Sequence, residues 1–281
     1  MPAPDITPGS AEWRYPNRAT PPGSSLYYAV RFAPRERRDA LAALAGFRHE
    51  VRAILEEVSD PGVARLKLDW WRDEIRRTLE GAPRHPLSHV LTATLEPTAS
   101  GERLPAGPFL AIADAVEQEL RRQRPPDTQA LRAADTHDLG ALFELLARAH
   151  GKHDESAIAA ARHIGGWCGS VRRLRDAGLL LRRDRSVLPT DTLAAAGLSH
   201  EALASSEHRH RLPQLLAPEA EALCEAAPLT ASEALPRALR IQQRIHAALL
   251  EELLRSELAV VDQRIGLTPL RKLWIAARTK R

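Results

Sequence analysis

Arg52 and Glu56 lie four residues apart, as do Arg172 and Asp176. On a helix this spacing puts a guanidinium and a carboxylate on one face. At an exposed position each pair is an ordinary ion pair worth ~0.3–0.5 kcal/mol. Other patterns that announce chemistry are missing. The chain has no Gly-rich phosphate loop, no GxSxG elbow and no HExxH. His208 and His210 alternate with arginines in EHRHR. A structural metal site usually needs four donors, so a solvated loop is the better reading of that stretch.

These residues must be positioned by helices. Apolar residues make up 44% of the 281 and aromatics only 4%, so alanine and leucine fill the core. β-branched residues are sparse, which argues against a large sheet. Residues 1–23 are rich in Pro, Gly and Ser and read as a flexible arm, with one domain over 24–281. Pro34 can open a helix that runs through EEV at 56–58. Asp60-Pro61 reads as an N-cap followed by proline at the first helical position, with Gly81 past the end. Pro86, Pro97, Pro105 and Pro125-Pro126 punctuate the next stretch of helices. Residues 138–150 and 155–183 read as helical, and 186–213 as loop with short helices. A long helix is expected from Ser232 to Ala259, and a last one over 269–278. The net charge of +4 suits anionic ligands or surfaces but leaves no nucleic-acid footprint. Cys168 and Cys224 form no CxxC pair, which fits a reduced, cytoplasmic protein. No apolar run approaches the ~20 residues that span a bilayer.

A wider pattern organises these pieces. SSLYYAV at 24–30, APRERRDALAALAGFRHEV at 33–51 and EEVSDPGVARLKLDWWRDEI at 56–75 resemble the opening of squalene/phytoene synthases. ARHIGGWCGSVRRLRDAGLLLRRDRSVLPTDTLAAAGLS at 161–199 is similar to the family's second aspartate segment, and VVDQRIGLTPLRKLWIA at 260–276 to its ending. The resemblance implies an all-α single-domain bundle of about ten helices, of the trans-isoprenoid synthase type. It also implies head-to-head joining of prenyl diphosphates. Two helical aspartate motifs would hold Mg²⁺, and arginines would neutralise the leaving diphosphate.

Matched to the family, Tyr27, Tyr28, Arg48, Glu56, Glu57, Arg175 and Asp176 are the remnants of the catalytic set. Arg48, Arg182, Arg183 and Arg185 match substrate-binding positions. The metal motifs are eroded. Arg52 and Ala53 stand where the first motif has aspartates, Leu180 where the second has its partner acid, and Arg172 where an amide is usual. A guanidinium stays charged and repels a cation. The expectation is therefore a catalytically degenerate member, with no metal and only Glu56, Glu57 and Asp176 as its remnants. It would bind an isoprenoid or lipid, or a protein partner as in an assembly-factor role. The alternative is an active Mg²⁺-dependent prenyltransferase. A third reading is a module peripheral to the inner face of a membrane. Asp176 is expected to pair with Arg52 across the cavity or with Arg172 one turn back, and Leu180 to pack apolar surface.

Overall fold

The computed structural model describes residues 9–94, 104–228 and 234–280. The described residues form thirteen α-helices and no strand, so the protein is all-α. In order these are α1 Ser25–Arg31, α2 Arg38–Glu57, α3 Pro61–Leu79, α4 Pro86–Thr94, α5 Ala106–Leu120, α6 Thr128–Asp135 and α7 Ala141–Ala149. Then come α8 Glu155–Arg182, α9 Thr190–Ala195, α10 His200–Ala204, α11 Leu212–Glu225, α12 Arg237–Arg255 and α13 Pro269–Arg278. A π turn over Thr136–Gly140 joins α6 to α7. The break expected at Pro97 and the helix start expected at Ser232 lie outside the described residues.

Local chemistry explains several boundaries. The Asp60 side chain accepts a hydrogen bond from the Val63 amide at 2.8 Å, capping α3, and Pro61 is its first residue. Gly81 comes just after α3 with φ of 84°, a left-handed conformation that glycine adopts without strain. Ser24 caps α1 through the Tyr27 amide at 3.1 Å. Sequence patterning does not single out that helix because seven residues are too few to show a period. The long helix is shorter than expected: α12 starts after Pro236 and ends at Arg255.

The expected arm is another difference. Residues 1–8 are not described, but 9–23 pack closely on α2. Trp13, Asn17 and Thr20 are buried there, and Asn17 Nδ2 donates to the Ala42 carbonyl at 2.8 Å. The polar, Pro-rich composition hides one tryptophan anchor and one asparagine whose hydrogen bonds satisfy local backbone.

α8 is the central strut, and a small-residue face on it lets the π turn approach. A Cβ at Gly165 would sit 2.7 Å from both the Gly140 Cα and the Leu139 carbonyl oxygen. Around it the core is close-packed, with Phe47, Phe109 and Phe143 buried and Phe47 edge-on to Phe109 at 5.1 Å between ring centroids.

Gly165→Ala is expected to destabilise by ~1–3 kcal/mol through overpacking, more than the ~1 kcal/mol that alanine's helix propensity returns; urea unfolding measures it. A second expectation concerns pH. Burial pushes the His246 imidazole down to about 3 and, with Arg37 nearby, His150 to about 4. Their stabilisation is complete above pH 6.5, the unfolded value, and is lost as pH falls toward the folded values. The stability gap between wild type and His246→Gln is therefore expected to narrow from about pH 6.5 downward. A gap independent of pH there would contradict it.

Candidate functional site

A cavity of about 450 Å³ opens between α2, α5, the α6–π turn segment and α8, a size ordinary for a small-molecule site. Its apolar wall includes Leu131, Leu139, Leu179 and Leu180. Leu180 is half-buried and packs against the core, as expected. The rest of the lining is charged: among the described residues, eight arginines and seven carboxylates, a net of +1.

Nearly all of these charges are paired. The Arg48 fork donates to Asp138, Nε to Oδ1 at 2.7 Å and Nη2 to Oδ2 at 2.5 Å. Arg52 Nη1 donates to Asp138 Oδ2 at 2.8 Å and to Glu119 Oε1 at 2.9 Å. Thus α2 is tied to the π turn and to α5. Arg185 Nη2 lies 2.9 Å from Glu56 Oε1, and Arg183 bonds the other oxygen of the same carboxylate. These tie the end of α8 to α2. Asp135 accepts from Ser170 Oγ at 2.7 Å and from Arg173 Nε at 3.1 Å. Burial alone would raise the Asp138 carboxyl, but Arg48 and Arg52 hold it below the usual carboxylate range. Asp135 is the opposite case: burial pushes its carboxyl up despite Arg173.

Arg172 differs from the other seven arginines. Among the described residues no carboxylate oxygen lies within 4 Å of its guanidinium, and it has no hydrogen-bond partner. Burial, with Arg48 and Arg175 close by, pushes it down to about 9, against the pull of Asp176 and Asp138. It remains a cation at neutral pH, half-buried in the cavity wall and available to an anion.

Of the residues expected from sequence, Arg48, Glu56, Glu57, Asp176, Arg183 and Arg185 line this cavity. Tyr27, Tyr28, Arg175 and Arg182 do not. Tyr27 stacks on Tyr15 at 5.5 Å, Tyr28 is buried edge-on to Tyr27, and Arg182 Nη1 donates to the Val261 carbonyl. The expected partners of Asp176 are corrected. Its carboxylate takes both ends of the adjacent Arg175, at 2.9 and 2.5 Å, and Arg264 Nε at 2.8 Å. Arg52 is not available to it, being held by Asp138 and Glu119. Sequence reasoning missed Asp135, Asp138, Glu119 and Arg264. The first two sit three apart in ADTHDLG, and a π turn, which no simple periodicity reveals, turns both inward.

A Mg²⁺ cluster needs several carboxylate oxygens free to coordinate. Here Glu56, Glu119, Asp135, Asp138, Asp176 and Asp184 each have a guanidinium within 4 Å. Glu57 is exposed and stands apart. Among the described residues no three His, Cys, Asp or Glu side chains converge on one point. The donor set does not fit such a cluster.

The family model of squalene/phytoene synthases matches residues 19–272, and the chain belongs to that family. It is 28% identical over 211 residues to the presqualene diphosphate synthase of Sinorhizobium fredii, covering 73% of this chain and 72% of that one. It is 27% identical over 191 residues to a Drosophila melanogaster homolog of NADH dehydrogenase (ubiquinone) complex I assembly factor 6, covering 64% of this chain and 55% of that one. Among solved structures, it superposes on a dehydrosqualene synthase in complex with ligand with a TM-score of 0.72 and 16% identity, covering 91% of this chain and 90% of that chain. A squalene synthase from Alicyclobacillus acidocaldarius gives 0.68 and 21% identity, covering 85% and 92%. These likenesses show the isoprenoid synthase fold.

Asp138→Ala leaves two largely buried guanidinium groups without their main partner, and is expected to cost ~3–5 kcal/mol in urea unfolding. Arg172→Met removes an unpaired, desolvated cation, and is expected to raise the thermal midpoint. A fall in the midpoint would show that Arg172 is held by something stronger than its neighbours supply.

Proposed function

We propose that this protein is a catalytically degenerate member of its family, which binds an isoprenoid or lipid bearing an anionic head. Arg172 receives the head directly, and Leu131, Leu139, Leu179 and Leu180 line the path of the tail. One observation carries the reading: an internal lattice of arginines and carboxylates occupies the place where metal-held diphosphates would need open acids. An anion brought to Arg172 satisfies a cation that the fold leaves without a partner. Catalysis of the family's type needs the leaving diphosphate neutralised as charge develops, and one fixed guanidinium replaces only part of that.

The active-enzyme reading is favoured by the similarity to presqualene diphosphate synthases. An assembly role is favoured by the similarity to the Drosophila protein. Two exposed apolar faces would serve a protein or membrane partner: Val63, Leu66 and Trp70 on α3, and Leu270, Leu273 and Trp274 on α13. No described helix is long and apolar enough to cross a membrane, so membrane contact would be peripheral.

Purified protein with radiolabelled farnesyl diphosphate and Mg²⁺ is expected to give no labelled presqualene diphosphate, squalene or phytoene-type product. Product formed at a catalytic rate and lost in Asp176→Asn would establish the enzyme instead. Farnesyl diphosphate is expected to bind in EDTA, and Arg172→Gln to weaken it about tenfold or more, while farnesol binding stays unchanged. If a deletion strain loses a respiratory complex and Arg172→Gln restores it as well as wild type does, the partner role stands apart from the ligand.

A further inference from the structure

A second pocket, of about 690 Å³, lies at the other end of α2. Arg38 and Arg52 are separated by ~21 Å along the helix axis at 1.5 Å per residue, so this pocket and the cavity are distinct. It forms where the turn Arg35–Arg37 leads into α2, the end of α7 closes one side, and Leu235–Ala238 lead into α12.

Its charge is one-sided. Arg31, Arg35, Arg38, Lys152, Arg237 and Arg240 line it, with His150, and no described Asp or Glu does. Among the described residues Arg31, Arg35, Arg38, Lys152 and Arg240 have no carboxylate within 4 Å. Asp39, in the first turn of α2, is turned away to the Tyr15 amide and Arg14. The backbone adds to the same sign. α2 and α12 both begin here, and neither has a side-chain cap. Helix N-termini carry partial positive charge and favour acids, so basic residues at two of them are the unfavourable arrangement.

Two polar atoms are also left without partners. Arg240 Nε and His150 Nε2 are buried and make no hydrogen bond among the described residues. Such atoms cost free energy unless something bonds them. The surroundings already act on His150, which burial and Arg37 hold neutral. A neutral imidazole can still donate one N–H. Phe32, packed under the Arg237 guanidinium at 4.9 Å, and Leu235 give the floor an apolar part.

We propose that this pocket binds a phosphoryl group, carried by a soluble phosphate ester or by a lipid headgroup, with Arg240, Arg35, Arg38 and His150 as donors. A tetrahedral dianion matches several convergent guanidinium groups and two helix N-termini better than a single carboxylate does. The pocket shares no residue with the cavity assigned to the isoprenoid, so it stands whether or not that assignment holds.

The test uses the full chain carrying Arg172→Gln, which weakens the cavity's own anion binding, in EDTA at constant ionic strength. The probes are inorganic diphosphate by calorimetry, and phosphatidylcholine vesicles with and without phosphatidic acid by flotation. Arg240→Gln and Arg35→Gln are each expected to weaken binding about tenfold. Arg35 is exposed, so its variant keeps the test valid if Arg240→Gln folds poorly. Diphosphate binding lost in these variants identifies a soluble phosphate ester. Capture by phosphatidic acid vesicles alone, lost in the same variants, identifies a headgroup. No binding of either probe, or binding that survives both substitutions, overturns the proposal.

Discussion

Asp138 accepting from both Arg48 and Arg52 is the interaction around which the site is arranged. Arg48 and Asp138 side chains are each 12% exposed, so neither charge is well solvated, and either one left alone would be costly. The pair joins α2 to the π turn, Arg52 carries the connection to α5 through Glu119, and Arg185 brings in the end of α8. Four segments are held at a polar cavity by charges the chain itself supplies. In a metal-dependent site a bound cation would cancel repulsion between facing acids. Here Asp138, Glu119 and Glu56 each have a guanidinium of the chain itself within 4 Å.

That arrangement depends on backbone approach as much as on charge. Asp138 reaches the arginines because five residues wind as a π turn rather than an α turn. The π turn fits because Gly165 and Gly140 let two backbones come together where any Cβ would collide. The glycines are thus part of the electrostatic site even though none carries a charge. The same segment leaves Arg172 out of the pairing, since Asp138 is saturated by α2 and Asp176 by Arg175 and Arg264. Among the described residues Arg172 is thus the one lining arginine with no carboxylate within 4 Å.

Much of the helical layout was legible because helix signals are local. Asp60, Pro61 and Gly81 mark the two ends of α3 by chemistry that acts within a few residues. The charged remnants on α2 and α8 were legible too, by their order along the chain. The hidden part was long-range. The spacing of Arg172 and Asp176 suggested an ion pair, yet Asp176 is claimed by Arg264, 88 residues later. Arg52 was spaced to pair with Glu56 on its own helix, yet it finds its partners 67 and 86 residues away. Segment 9–23 looked loose because composition does not reveal that Asn17 meets the Ala42 carbonyl. Pairing of charges across a cavity is a property of the packed fold, and a one-dimensional pattern sets only which charges are available.

The proposal that arginines stand in for bound metal in holding the cavity together requires that its carboxylates be closed to Mg²⁺. Isothermal titration of Mg²⁺ into the full chain, with a non-hydrolysable farnesyl diphosphate analogue present, tests it most directly. No saturable, stoichiometric heat of Mg²⁺ binding is expected. A saturable, stoichiometric uptake of Mg²⁺ that disappears in Asp176→Asn would contradict it, because the carboxylates would then be open to metal despite their guanidinium neighbours.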